Sequence, residues 1–241
     1  MFSYRIAAKE ARDNVNVALF YSNGTRVQTV NSDGTKNLTE SGYDFTAMTY
    51  LDYMSEHGSD KMKALALAAK DYCTAAQLHF NYNVESIGSG NGVRALVDAV
   101  SSGNLAADYS SVKTGDLPAG IDLDIITVMF ESDNAFRLYF TYDYVDTRNS
   151  YTYTVDGGSA TLKQRSTDGK YYIEKTGVPA RLLHKPHDYA VSKGGKTYTY
   201  TASMMTYAKT AMDNGTESMK TLAKAFYLYN QAAIAYFGDD T

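Results

Sequence analysis

The feature that most constrains this 241-residue chain is that part of it occurs twice. Displaced by 157 positions, Tyr43–Phe80 falls over Tyr200–Phe237 without a gap. Fourteen of those 38 positions are identical, among them Met48, Tyr50, Gly58, Met62, Leu65, Tyr72, Ala76 and Phe80. Self-similarity at a fixed offset is the mark of a repeated structural unit. The shared residues are apolar and capping types, with no acid, base or metal ligand among the named ones. The repeat therefore speaks to architecture before it speaks to chemistry.

Each copy reads as a helical hairpin. Ala47, Tyr50, Leu51 and Met54 recur at the spacing of one helix face. His57-Gly58 then predicts a stop, matched by Asn214-Gly215, with glycine expected in the left-handed conformation that ends many helices. Ser59-Asp60 and Thr216-Glu217 follow at once, a hydroxyl placed to cap the next helix and an acid in its first turn. The second helix is expected to bury Met62, Leu65, Ala69, Tyr72, Ala76 and Phe80. Its match would bury Met219, Leu222, Phe226, Tyr229, Ala233 and Phe237.

Ahead of each copy the patterning is mainly that of strands. Tyr4–Ala8, Val15–Tyr21 and Arg26–Val30 read as short strands, with Asn23-Gly24 and Asp33-Gly34 as tight turns. Gly92–Ser101 reads as a third helix, and the polar stretch Gly103–Gly120 as a boundary. Ile121–Glu131, Ala135–Val145, Tyr151–Val155, Ala160–Gln164 and Lys170–Lys175 read as a meander. Tyr189–Ser192 and Thr197–Thr201 complete the strands. Strands gathered ahead of helices predict an α+β fold with antiparallel, sandwich-like sheets packed with two related helical hairpins. The halves are 1–104, holding the hairpin 43–80, and 105–241, holding the hairpin 202–237, together one compact unit.

Composition excludes several functions. A net charge of −4 argues against nucleic acid, which asks for a basic stripe. No apolar run approaches the roughly 20 residues of a membrane span. One cysteine, Cys73, leaves no internal disulfide or multi-cysteine metal site. MFSYRIAAKE does not read as a secretion signal. No phosphate loop, nucleophile elbow or HExxH motif is present. His184-Lys-Pro-His187 lacks the further ligands that zinc asks for, and Asp122 with Asp124 reads as edge charge. The expectation is therefore no enzyme, no catalytic residue, no metal and no cofactor.

Tyrosine is the anomaly, at 22 residues with no tryptophan. Its apolar ring and hydrogen-bonding tip suit both half-buried sheet faces and recognition surfaces. Tyr139–Tyr153 reads as a tyrosine-rich hairpin. Tyr139, Tyr142, Tyr144, Tyr151 and Tyr153, with Asp143 and Arg148, form the candidate ligand site, since sugar rings stack on aromatic faces while their hydroxyls seek charged partners. The competing reading is that these rings only stabilise a two-sided strand pair.

The phrase Tyr72-Cys73-Thr74-Ala75-Ala76-Gln77-Leu78-His79-Phe80-Asn81-Tyr82-Asn83 resembles a YGAAAQ-x-YF-x-YN phrase. That phrase is found in large secreted, dockerin-bearing or surface proteins of gut and rumen Clostridia, including cellulosomal ones. Tyr229–Phe237 resembles it again. This chain departs with Cys73 for the usual glycine and His79 for tyrosine. The resemblance implies an excised, extracellular or cell-surface accessory module without its signal peptide, working beside neighbouring modules. Its expected partner is a polysaccharide or other glycan. The alternatives are a protein-interaction or spacer module, and, ranked last, a glycosidase or peptidase.

Overall fold

The computed structural model describes residues 5–18, 20–25, 27, 29–30, 34–37, 43–90, 92–106, 109–130 and 134–239. In chain order the strands are β1 (Val15–Val17), β2 (Thr29–Val30), β3 (Lys36–Asn37) and β4 (Tyr43–Phe45). Helices α1 (Ala47–His57), α2 (Asp60–Phe80) and α3 (Ala95–Asp98) follow. Then come β5 (Val112–Thr114), β6 (Ile121–Met129), β7 (Ala135–Tyr142), β8 (Thr152–Val155) and β9 (Gly158–Ser159). The last strands are β10 (Lys163–Gln164), β11 (Tyr171–Thr176), β12 (His187–Lys193) and β13 (Lys196–Ala202). Helices α4 (Met204–Asn214) and α5 (Glu217–Phe237) close the chain. The class is α+β with antiparallel sheets. The larger sheets run β10-β11-β7-β6 and β5-β13-β12-β8-β9; β1 pairs with β4 and β2 with β3.

Helix boundaries follow the repeat. Both ends of α1 and α2 recur 157 residues on at the ends of α4 and α5. Thr46 caps α1 by accepting the Thr49 amide at 3.0 Å, and Ser203 caps α4 by accepting the Thr206 amide at 3.2 Å. Ser59 and Thr216 cap α2 and α5, each accepting a methionine amide at 3.4 Å. Such caps satisfy amides that have no partner within the helix.

The glycines between the helices correct the sequence reading. Gly58 and Gly215 are extended, at φ −71° and −75°, so no left-handed residue is involved. What they supply is room. A Cβ on Gly58 would stand 2.7 Å from both the Met54 carbonyl oxygen and the Met62 Cγ. On Gly215 it would stand 2.5 Å from the Ala211 oxygen and 2.9 Å from the Met219 Cγ.

The two larger sheets meet through large side chains. Phe136 and Tyr189 are both buried, with rings edge-to-face at 5.6 Å, and the Tyr189 hydroxyl donates to the Phe136 carbonyl at 2.8 Å. One cluster of buried side chains joins these strands to α2, α4 and α5, and takes in Val97, Val100 and Leu105. Burial of each large apolar side chain contributes about 1.5–3 kcal/mol. Helices α2 and α5 pack on each other and α4 lies on β6.

Other local expectations shift. Within Tyr4–Ala8, Tyr4 lies outside the described residues, Arg5–Ala7 is not strand, and Ala8 opens a 3-10 turn, Ala8–Glu10. The turn packs on α2, and small, buried Ala7 and Ala11 allow the close approach. Among the described residues, Val15–Tyr21 holds the strand Val15–Val17, Arg26–Val30 holds Thr29–Val30 (with Gln28 outside them), and Gly92–Ser101 holds the single turn of α3. Leu19, Arg26, Asp33 and Glu131 lie outside the described residues. The polar stretch 103–120 contains β5, which pairs with β13 through Thr199↔Thr114.

Candidate functional site

The tyrosine group does not form the hairpin expected of it. β7 pairs with β6 and β11, whereas β8 pairs with β12 and β9, so Tyr139–Tyr153 crosses from one sheet to the other. The crossing is a 3-10 helix, Val145–Ser150. Alternation shows which residues share a face, but not which strand lies alongside.

The crossing turns most of these rings into packing between the sheets. Tyr151 and Tyr153 are buried in that core, whereas Tyr139 is buried on the other face of β7, against Tyr172 and under Arg165. Tyr142 and Tyr153 share a hydroxyl–hydroxyl hydrogen bond of 2.7 Å, and Tyr153 also donates to the Arg148 carbonyl at 3.1 Å. Tyr151 donates to the Ala119 carbonyl at 2.8 Å. Burial pushes the Tyr153 phenol up to about 12, against the opposing pull of its bond to Tyr142. Burial first, and then the bond to Tyr153, also raises the Tyr142 phenol. Both stay neutral at physiological pH.

A smaller exposed set remains at the crossing. Tyr144 is 75% exposed, Asp143 is exposed beside it, and the half-buried Arg148 lies over the Tyr171 ring at 5.3 Å. The candidate residues thus divide, with Tyr144, Asp143 and the edges of Tyr142 and Arg148 facing outward. They present one open ring and no pair of exposed rings.

The other polar candidates are engaged one by one. His184 meets Asp239 at 2.9 Å and His187 meets Asp156 at 3.0 Å, so the two histidines turn to different carboxylates. Asp124 pairs with Lys170 at 2.6 Å, and Asp122 is exposed on the same bulged strand. Cys73 is buried beside Ala11 and Met48. Burial pushes its thiol up to about 12 although Arg12 pulls it down, which leaves little thiolate for nucleophilic chemistry.

Sequence reasoning missed an apolar groove beside the first helical hairpin. It is about 250 Å3, walled by Tyr50 and Met54 of α1, Met62 and Leu65 of α2, and Phe237 of α5, with Ala69 at its floor. A second hollow of about 280 Å3 shares Tyr50, Leu51, Ala69 and Tyr229 and runs on toward Ala11. The periodicity marked Leu65 and Phe237 as core. Instead Leu65 is half-buried while its match Leu222 is fully buried, and Phe237 and its match Phe80 are both exposed. A signal was present in the mismatches. Leu51, Met54 and Ala69 of the first copy stand where the second has Ala208, Ala211 and Phe226, so bulk is distributed differently around the same seam.

Among the described residues no group of three or more metal-ligating side chains forms, and no helix is long and apolar enough to cross a membrane. Comparison with protein-family profiles, curated proteins and solved structures gave no match to this chain.

Proposed function

We propose that this chain is a non-catalytic accessory module of an extracellular bacterial multimodular protein, and that it works by holding a protein partner. The observation that carries the reading is the unequal covering of the two matched hairpins. Leu222 is fully buried, while Leu65 lies at an open apolar groove. Apolar surface left open within an otherwise packed helical seam suits a partner interface. The extracellular setting draws on the likeness of Tyr72–Asn83 and Tyr229–Phe237 to repeated phrases of secreted clostridial proteins.

Glycan binding is the second reading, favoured by one observation. Tyr144 is 75% exposed beside Asp143 and Arg148, which is the minimum a stacking sugar would need. A glycan array probed with the purified chain separates the two. The protein-partner reading expects a silent array. Binding to one polysaccharide class, lost in Tyr144→Ala, would install the glycan reading in its place. Hydrolysis of any sugar polymer or peptide would overturn both.

A further inference from the structure

The repeat makes the open groove interpretable, because the same place exists on the second hairpin and is filled there. Tyr50, Met62 and Leu65 correspond at the 157-residue offset to Tyr207, Met219 and Leu222, and Phe237 corresponds to Phe80 of the other hairpin. Into the second set goes Phe130, the residue that follows β6 directly. Its ring meets Phe226 edge-to-face at 5.2 Å and lies 6.1 Å from Tyr72, 6.4 Å from Phe80 and 6.5 Å from Tyr207. Phe130 is buried, and so is Leu222, in the same core cluster.

Among the described residues, the corresponding place on the first hairpin stands open. Tyr50 and Phe237 are each 59% exposed. Ala69 stands where Phe226 supplies a ring on the other hairpin, which leaves additional room. The volume of about 250 Å3 is ample for one aromatic ring, given that an apolar cavity of roughly 150 Å3 holds benzene in an engineered lysozyme.

We propose that the groove on α1–α2 receives an aromatic side chain at the end of an extended segment of a partner polypeptide, as the place on α4–α5 receives Phe130. The proposal rests on the protein-partner reading and deepens it by naming what the partner presents. An extended segment is implied because Phe130 arrives at the end of a strand. An aromatic is implied because three of the four rings around Phe130, those of Tyr72, Phe80 and Tyr207, recur at the open groove as Tyr229, Phe237 and Tyr50, while Ala69 in place of Phe226 leaves room for a ring. Aromatic anchors in desolvated pockets are where binding energy concentrates.

The test uses the full chain labelled with 13C at methionine methyls. Met54 and Met62 report on the groove, and the fully buried Met204 and Met205 serve as controls. The probe is a lysine-flanked peptide spanning Ile126–Phe130, compared with the same peptide carrying alanine for the phenylalanine. Expected are saturable shifts at Met54 and Met62 with a dissociation constant of about 1 mM or tighter. The alanine peptide should bind at least tenfold more weakly. Ala69→Phe should weaken the phenylalanine peptide at least tenfold without lowering the melting temperature; if that variant fails to fold, Leu65→Gln serves in its place.

Four results would overturn the proposal. They are no saturable shift, equal binding of the two peptides, shifts that follow protein concentration without peptide (a second copy as occupant), and binding seen only after residues 1–4 are removed (the chain's own start as occupant). None of these depends on the glycan array, so failure here is distinguishable from failure of the broader reading.

Discussion

Tyr72 of α2 and Tyr229 of α5 stack, with centroids 5.3 Å apart and planes 11° from parallel. They are also equivalent positions of the repeat, 157 residues apart. A residue touches its own equivalent only near a two-fold axis, as at an isologous interface. The caps, the glycines and the edge-to-face pairs His79–Phe80 and Tyr236–Phe237 keep the same correspondence.

The stack should be measurable as a coupling. Tyr72→Leu and Tyr229→Leu each remove one ring, and the double variant removes the contact. Aromatic pairs contribute about 0.5–1.5 kcal/mol beyond area burial. A double-mutant cycle by urea unfolding should return coupling in that range. Additive losses would mean that the rings are neighbours without a stabilising contact.

Gly58→Ala and Gly215→Ala should both destabilise, by about 1–3 kcal/mol, as overpacking does. The cause is contact with a carbonyl oxygen at 2.7 and 2.5 Å and with the methionine of the following helix, since φ at either site is one that alanine adopts freely. Were glycine here only for flexibility, alanine would raise stability by about 0.4–1 kcal/mol. Thermal unfolding of the two variants distinguishes the signs.

The glycine case illustrates what was legible. Hydroxyl caps, glycine stops and helix periodicity are local signals, and they marked the break within each hairpin and the ends of α2 and α5, whereas the hairpin start read at Tyr43 falls on β4, ahead of α1 at Ala47. The reason for the glycines was not legible, because it lies in Met62 and Met219 on the next helix. Alternation in Phe136, Leu138 and Phe140 located a strand, but the pairing of β8 with β12 in place of β7 depends on residues more than 30 positions away. For the candidate site, residue types indicated that Tyr142, Tyr151 and Tyr153 belong together, and they do adjoin. They adjoin as core, because the two strands carrying them enter different sheets and enclose the rings. The groove was legible only by asking why Ala69 faces Phe226 in the alignment of the two copies.

Acid should unfold the sheet end of the molecule through Asp156. Partial burial pushes this carboxyl up, but hydrogen bonds from Lys175 at 2.8 Å, the Asp188 amide at 3.1 Å and His187 at 3.0 Å outweigh it and hold it below the usual range. A depressed folded-state value contributes stability that is present above the unfolded aspartate value near pH 3.9 and is lost as pH falls through the lower folded value. The urea midpoint should therefore hold between about pH 7 and 5 and decline below about pH 4. Asp156→Asn is the appropriate variant, since φ at this residue is +51° and asparagine tolerates that conformation. It should lower stability at pH 6 and flatten the acid limb. An unchanged limb would assign the acid sensitivity elsewhere.

The sharpest consequence of the unequal hairpins is that identical substitutions at equivalent leucines should differ. Leu222 is fully enclosed in the core cluster that also holds Phe226 and Phe130, so Leu222→Ala leaves a cavity there. Its cost should fall in the range of about 2–5 kcal/mol found for buried leucines. Leu65 is half-buried at the groove wall, where water already reaches and no complete cavity can form. Leu65→Ala should cost about 1 kcal/mol, near the loss of part of one side chain's burial. Thermal or urea unfolding of the two variants gives the difference directly. Equal costs at the high end would mean that the groove closes over Leu65 in solution, which would also remove the place proposed for an aromatic partner. Equal costs at the low end would mean that Phe130 does not seal its side, and the contrast between a filled and an open copy would be lost.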